Sequence, residues 1–210
     1  TKETILKIAK TLDLNAFQTG SLLNIDYVAE VQDLLEISTD INTSNSIIEL
    51  MQLAADEIAR KFDFRGTSFY TLVGNKCSLV AFTRSWYTAA VLKALPVHYS
   101  QLRLNLKQNS TNYLVRTILD GREMHSNSLA DFGVPTISKK LASFLGKLVR
   151  FRSGISMPLN VKGEVIGAVL YHKGYEYTFK EELAILRALN SQIALTLARL
   201  QYLDKQDNND

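Results

Sequence analysis

One cysteine, Cys77, is all the thiol chemistry this chain of 210 residues has. A lone thiol forms no internal disulfide and builds no thiolate metal cage, which suits a reducing compartment and sets the expectation of a cytoplasmic protein. Long apolar runs are missing too. No stretch approaches the roughly 18 consecutive apolar residues of a membrane helix. The opening TKETILKIAK lacks the apolar core of a secretory signal, so no membrane partner is expected. Charge of one sign is scarce: 24 basic against 21 acidic residues leave a net +3, spread along the chain, too little to argue for nucleic acid. The one local basic cluster, Lys139, Lys140, Lys147, Arg150 and Arg152, has no interleaved aromatics and reads as a solvated helix face. There is no Walker loop, G-x-G-x-x-G, H-E-x-x-H, nucleophile elbow or paired C-x-x-C. The best-attested sequence routes to nucleotide hydrolysis, zinc proteolysis and acyl transfer go with them. Without Met at position 1, the chain is expected to be part of something longer.

What is present is an ordinary globular composition, 46% apolar and 21% charged. The length suits one well-packed domain with extensions. Ile5, Ile8, Ala9 and Leu12 predict a short connector helix, placing residues 1–23 outside the main domain. Asn24 is the expected cap of a second helix to about Ser38, with Val28, Val31 and Leu35 as its seam and Leu34 and Ile37 beside it. Ser46 with Glu49 forms a capping box, opening a third helix striped by Ile47, Met51, Ala54, Ile58 and Phe62. Thr67 to Val73 and Cys77 to Thr83 flank Gly74-Asn75-Lys76 as a hairpin, after which Arg84 to Ser100 resists assignment. Leu102 to Leu106 reads as a strand, and Ser110 as the cap of a helix stopped by Gly121. Arg122 to Ser126 reads as a strand, Asp131 to Pro135 as a loop, and Ile137 to Leu148 as an amphipathic helix.

The strongest local pattern is RSGISMPLNVKGEVIGAVLY, Arg152 to Tyr171, two apolar strands around a Lys162-Gly163 turn. Gly163 supplies the positive φ a tight hairpin demands, and Gly167 marks a bulge or a close backbone approach. Thr178 and Glu181 form a second capping box, opening a long helix striped by Leu186, Leu189, Ile193, Leu197 and Leu200. The polar residues 205–210 are expected to be a disordered tail. Hairpins force antiparallel neighbours, so the order predicts the α+β class, with helices on both sides of an antiparallel sheet.

Residues 24–204 resemble a GAF domain. The resemblance rests on Pro158-Leu159, Gly163 and Ile166-Gly167, with Ser156 before and Leu170 after. It is supported by Leu119-Asp120-Gly121-Arg122-Glu123 and by Phe179, Glu181 and Glu182 ahead of the last helix. A PAS-like domain explains the helices before the first hairpin less well. The resemblance implies five or six antiparallel strands, with terminal helices on one face and short helices and loops roofing a small-molecule pocket on the other. It places Trp86, Tyr87, His98, Tyr113, Arg116, His125 and Asp131 near that pocket as candidate ligand contacts. Bilin-binding members use a roof cysteine, whereas Cys77 begins a strand. Cyclic-nucleotide binders follow Asn-Lys with Phe-x-x-x-Asp-Glu, and nothing of that form follows Asn75-Lys76. Members that reduce methionine sulfoxide exchange several thiols, and one cannot complete the cycle. Iron or haem at His125 and Asp131 would require the loop between them to fold back, so the cofactor stays unknown.

The function implied is a regulatory, non-enzymatic sensor domain of a longer signalling protein. It would couple an unidentified small-molecule ligand or a partner to rearranged terminal helices, with an attached output domain and a homodimer formed through those helices. The alternative is a ligand-free dimerising spacer whose pocket is filled by Trp86 and Phe82. An enzyme of another type would turn on a residue such as His125.

Overall fold

The computed structural model describes residues 27–207 of the chain. The expected connector helix and the Asn24 cap lie outside the described residues. Contacts divide the chain into two units, Thr1–Thr39 and Asp40–Asp210. What is described of the first belongs to helix α1 (Tyr27–Thr43), which runs past the predicted stop near Ser38.

In the second unit α2 (Ile47–Lys61) leads into β1 (Gly66–Val73) and β2 (Lys76–Phe82). Helix α3 (Trp86–Ala94), a 3-10 turn (Tyr99–Gln101) and β3 (Arg103–Asn105) follow. Then come α4 (Tyr113–Asp120), β4 (Met124–Ser126), α5 (Ala130–Gly133) and α6 (Lys139–Leu148). The chain closes with β5 (Ser153–Val161), β6 (Glu164–Lys173) and α7 (Leu183–Asp207). The six strands form one sheet in the order β3-β2-β1-β6-β5-β4, antiparallel throughout, as the hairpins required. Helix α7 continues to Asp207, through part of the expected tail.

Local chemistry explains most boundaries. Ser46 Oγ accepts from the Glu49 N–H at 3.2 Å, and Glu49 reaches back to the Asn45 N–H at 3.0 Å, so the capping box forms. In the β5–β6 turn Lys162 and Gly163 both adopt positive φ, 51° and 89°, the twist a two-residue hairpin needs. Gly167 meets both sequence readings: the register shifts beside it, after Leu159, and a Cβ there would run into the Tyr70 carbonyl oxygen.

Three further boundaries differ from expectation. Helix α4 is capped by Asn112 rather than Ser110, its Oδ1 accepting from Leu114 N at 2.9 Å and Val115 N at 3.2 Å. The Asn112 Nδ2 donates to the Phe132 and Val134 carbonyls, both at 2.7 Å, and this fixes the α5 segment where a loop was expected. The Thr178 box does not open α7, which begins at Leu183 after Phe179 takes a left-handed φ of 59°. Glu182, the residue after the expected box, accepts from the Tyr177 hydroxyl at 2.6 Å and pairs with buried Lys173 at 3.7 Å.

The two faces of the sheet bury different layers. On one, α2 and α7 cover Phe69, Ile155, Met157 and Tyr171, with the Tyr171 hydroxyl donating to Asn190 of α7 at 2.6 Å. Burial is what raises that phenol's pKa. Arg199 of α7 donates to the Asn42 and Ser44 carbonyls, both at 3.1 Å, tying α7 to the end of α1. The other face carries Cys77, Leu104, Leu114, Val115, Ile118, Phe132, Phe151, Ala168 and Leu170 as a second core. A buried Thr117–Ser156 hydroxyl pair pins α4 to it. The α7 stripe expected to pair across a twofold axis, Leu186, Leu189, Ile193, Leu197 and Leu200, is buried within its own chain. A helix has to spend its most apolar face on the nearest sheet. The clustered cations Lys139, Lys140, Lys147, Arg150 and Arg152 are all exposed, as expected.

Candidate functional site

Between the second face of the sheet and its covering helices lies a cavity of about 180 Å³. Its floor is Ser68 and Tyr70 of β1, Leu79 of β2, Leu104 of β3 and Leu170 and His172 of β6. Thr88, Val91 and Leu92 of α3, with Leu95, Tyr99 and Leu102, form the roof. Leu114, Leu129, Phe132, Thr136, Ile137, Leu145 and Val149 close the sides. No Asp, Glu, Lys or Arg is among the lining residues.

The roof helix fills most of the segment left unassigned from sequence. Ser85 caps it, accepting from Thr88 N at 3.2 Å, and the Thr88 hydroxyl donates to the Thr83 carbonyl at 2.7 Å. Seven of its nine residues, WYTAAVLKA, are aromatic or aliphatic, yet none is buried. Its start is held from the opposite face of the sheet. Asp56 of α2 accepts from Arg84 N and Nε, both at 2.7 Å. Gln52 Nε2 donates to the Phe82 carbonyl and the Thr83 hydroxyl to the Ala55 carbonyl, each at 3.0 Å. A polar clamp around residues 82–84 thus joins roof and terminal-helix layer.

Glycines shape the floor. His172 pairs with Gly66 of β1 on one side and Gly154 of β5 on the other. A Cβ at Gly66 would overlap the His172 ring, and one at Gly154 the Phe151 ring. The bare backbone lets both rings lie across the sheet and stack, 5.2 Å between centroids and 22° between planes. His172 Nε2 is closed to solvent and has no partner, although the residue as a whole is only partly buried. Burial, reinforced by the Arg65 charge, pulls its pKa down to about 4, so the ring is neutral at physiological pH. Thr136 Oγ1 also lacks a partner. Burial pushes the Cys77 thiol up to about 12, an unreactive state for a buried sulfur.

None of the seven candidate residues lines this cavity. Trp86 is 69% exposed, its ring lying on Tyr87 at 3.8 Å, so it does not fill the pocket, although Phe82 does line it. Tyr87 lies under the Arg65 guanidinium at 3.4 Å and lines a separate cleft with Asp56, Glu57, Arg84 and Arg150. His98 is exposed, its Nδ1 2.7 Å from Ser100 Oγ. Tyr113 packs edge-on against Phe132 beside the second core. Arg116 is exposed and pairs with Asp120 at 3.3 Å. His125 stands against Phe179 on the terminal-helix side, with burial lowering its pKa. Asp131 accepts from the Ser126 hydroxyl. Adjacent strand residues face opposite ways, so His125 and Asp131 do not converge. Among the described residues no group of three or more His, Cys, Asp and Glu could hold a metal.

Among the lining residues that sequence reading missed are His172, Thr136, Thr88 and Tyr99. His172 carried a usable signal, since it sits two residues beyond Leu170 in the same alternation. The facing glycines emerge only with the register.

No family model and no curated protein matches the chain. Solved structures do match. The GAF domain of an Acinetobacter phosphoenolpyruvate-protein phosphotransferase superposes with TM-score 0.62 at 14% identity, covering 84% of this chain and 98% of that one. Residues 122 to 287 of a methyl-accepting chemotaxis protein superpose at 0.60 and 16% identity, covering 80% and 98%. Free methionine-R-sulfoxide reductase from Neisseria meningitidis, in complex with its substrate, superposes at 0.58 and 14%, covering 81% and 89%. With a six-stranded antiparallel sheet, terminal helices behind it and a roofed cavity in front, the chain has the GAF fold.

Proposed function

We propose that this chain is a regulatory sensor domain of a longer signalling protein, in which a small molecule held beneath α3 changes how the terminal helices are braced. The carrying observation is the roof: an apolar helix with no buried residue, over a cavity, gains packing from whatever fills that space. The clamp of Asp56, Gln52 and Ala55 on residues 82–84 supplies the route to α2. GAF neighbours from a phosphotransferase and a chemotaxis protein support a signalling context. The role is regulatory rather than enzymatic, and a buried thiol with a raised pKa offers no redox turnover. Among the described residues no helix is long and apolar enough to cross a membrane, and we assign the domain to the cytoplasm. A homodimer would use the outward face of α7, where Ala184, Ala188, Ser191, Leu195 and Tyr202 are exposed at spacings of four, three, four and seven.

The test needs no ligand. Leu92→Trp fills the cavity from the roof, and amide exchange is followed by mass spectrometry. We expect slower exchange in residues 86–95 and, through the clamp, in residues 52–56. Slower exchange in the roof with α2 unchanged would refute the coupling.

A further inference from the structure

Resting on that reading, we infer that the cavity selects a neutral molecule of about one aromatic ring, bearing a single hydroxyl, and rejects carboxylates, phosphates and ammonium ions. Size comes first. An engineered apolar cavity of about 150 Å³ accepts benzene. At about 180 Å³ this one has room for a ring and a small substituent, and none for a nucleotide.

Charge is decided by the walls. With no Asp, Glu, Lys or Arg among the lining residues, an ionised ligand would enter with nothing to pair it, and burying an unpaired charge costs far more than a ring gains. The nearby guanidinium groups do not line it: Arg84 pairs with Asp56, and Arg65, over the Tyr87 ring with a buried Nε that lacks a partner, lines the separate cleft.

One polar group is provided for. Thr136 lines the cavity and keeps a buried hydroxyl oxygen without a partner, and the same holds for the His172 ring nitrogen; the third unpartnered hydroxyl of a lining residue, on Thr67, alternates to the terminal-helix face with Phe69. The Thr88 hydroxyl of the roof is already spent on the Thr83 carbonyl. A ligand hydroxyl both donates and accepts, so it can satisfy either kind of wall atom, which a hydrocarbon cannot.

The experiment compares phenol, benzene and benzoate on the intact chain, by thermal shift and ligand-observed NMR. Xenon NMR reports whether the cavity admits anything. The expected result is saturable binding of phenol, weaker binding of benzene, and none of benzoate, with phenol lost in Leu92→Trp. Thr136→Val keeps the shape and removes the hydroxyl, so it should weaken phenol by about tenfold and leave benzene unchanged. Benzoate binding as well as phenol, or Thr136→Val affecting both neutral probes equally, overturns the ligand class while the sensor cavity stands. Xenon entering wild type and Leu92→Trp alike, with no probe bound, overturns the cavity reading itself.

Discussion

Replacing His172 by Phe should make the protein less sensitive to acid, because this histidine is held neutral in the folded state. Its ordinary pKa is 6.5, and in the fold it is about 4. Below pH 6.5 the unfolded chain takes up a proton that the folded chain refuses, so stability falls as pH drops from about 6.5 to 4 and then levels off. At pH 5 the unfolded histidine is almost wholly charged and the folded one almost wholly neutral, a loss of about 2 kcal/mol relative to pH 7.5. The Phe ring preserves the stack on Phe151 and the cover over Gly66, and removes an unpartnered nitrogen. Urea unfolding at pH 7.5 and 5.0 measures the effect, since every other titrating group is shared by the two proteins. The expected outcome is similar stability at pH 7.5 and a variant more stable by about 2 kcal/mol at pH 5. An equal difference at both pH values refutes the reasoning, as does a His172 resonance that titrates near pH 6.5 in wild type.

Gly167→Ala should cost about 3 kcal/mol in denaturant unfolding, because the new methyl meets a strand carbonyl that cannot step aside. Gly163→Ala, at a positive φ in open space, should cost only about 1 kcal/mol. Asn112→Asp keeps the helix cap but turns a carboxylate on the Phe132 and Val134 carbonyls; we expect a loss of about 3 kcal/mol by the same measurement. Asp56→Ala should speed amide exchange at residues 84–88 with a global loss of about 1–2 kcal/mol, and unchanged exchange there would remove the clamp from the account.

The parts of the fold legible in the sequence are those decided within a few residues. Lys162-Gly163 announced a turn because few backbones accept two positive φ values, and Ser46 with Glu49 announced a helix because both halves of the box lie within one turn. The second box, Thr178 with Glu181, failed for a tertiary reason: Phe179, between its two members, packs with Phe64 and Tyr177 and takes a left-handed φ of 59° that the first turn of a helix does not allow. The ligand-site candidates were chosen by residue type and segment, which leaves open the face of the sheet. His125 and His172 both lie on alternating strands, and pairing alone sends one toward Phe179 and the other to the cavity floor. Helix α3 escaped assignment because it is apolar nearly all round, leaving no amphipathic period to detect.

That same lack of a polar face bears on the proposed coupling between the roof and the terminal helices. A helix with apolar residues on every side and none buried is held by its ends more than by its flanks. The Ser85 cap and the Asp56 clamp sit together at one of those ends. The sheet beneath is a poor conductor of small shifts, since β1 and β6 are each hydrogen-bonded to a neighbouring strand on both edges. A displacement of the roof therefore meets least resistance around the β2 end of the platform, through residues 82–84 to Gln52, Ala55 and Asp56. Helix α2 packs in turn on α7, and Arg199 of α7 holds the carbonyls at the end of α1. The proposed route runs over the edge of the sheet, through polar contacts that can lengthen or shorten without opening a core.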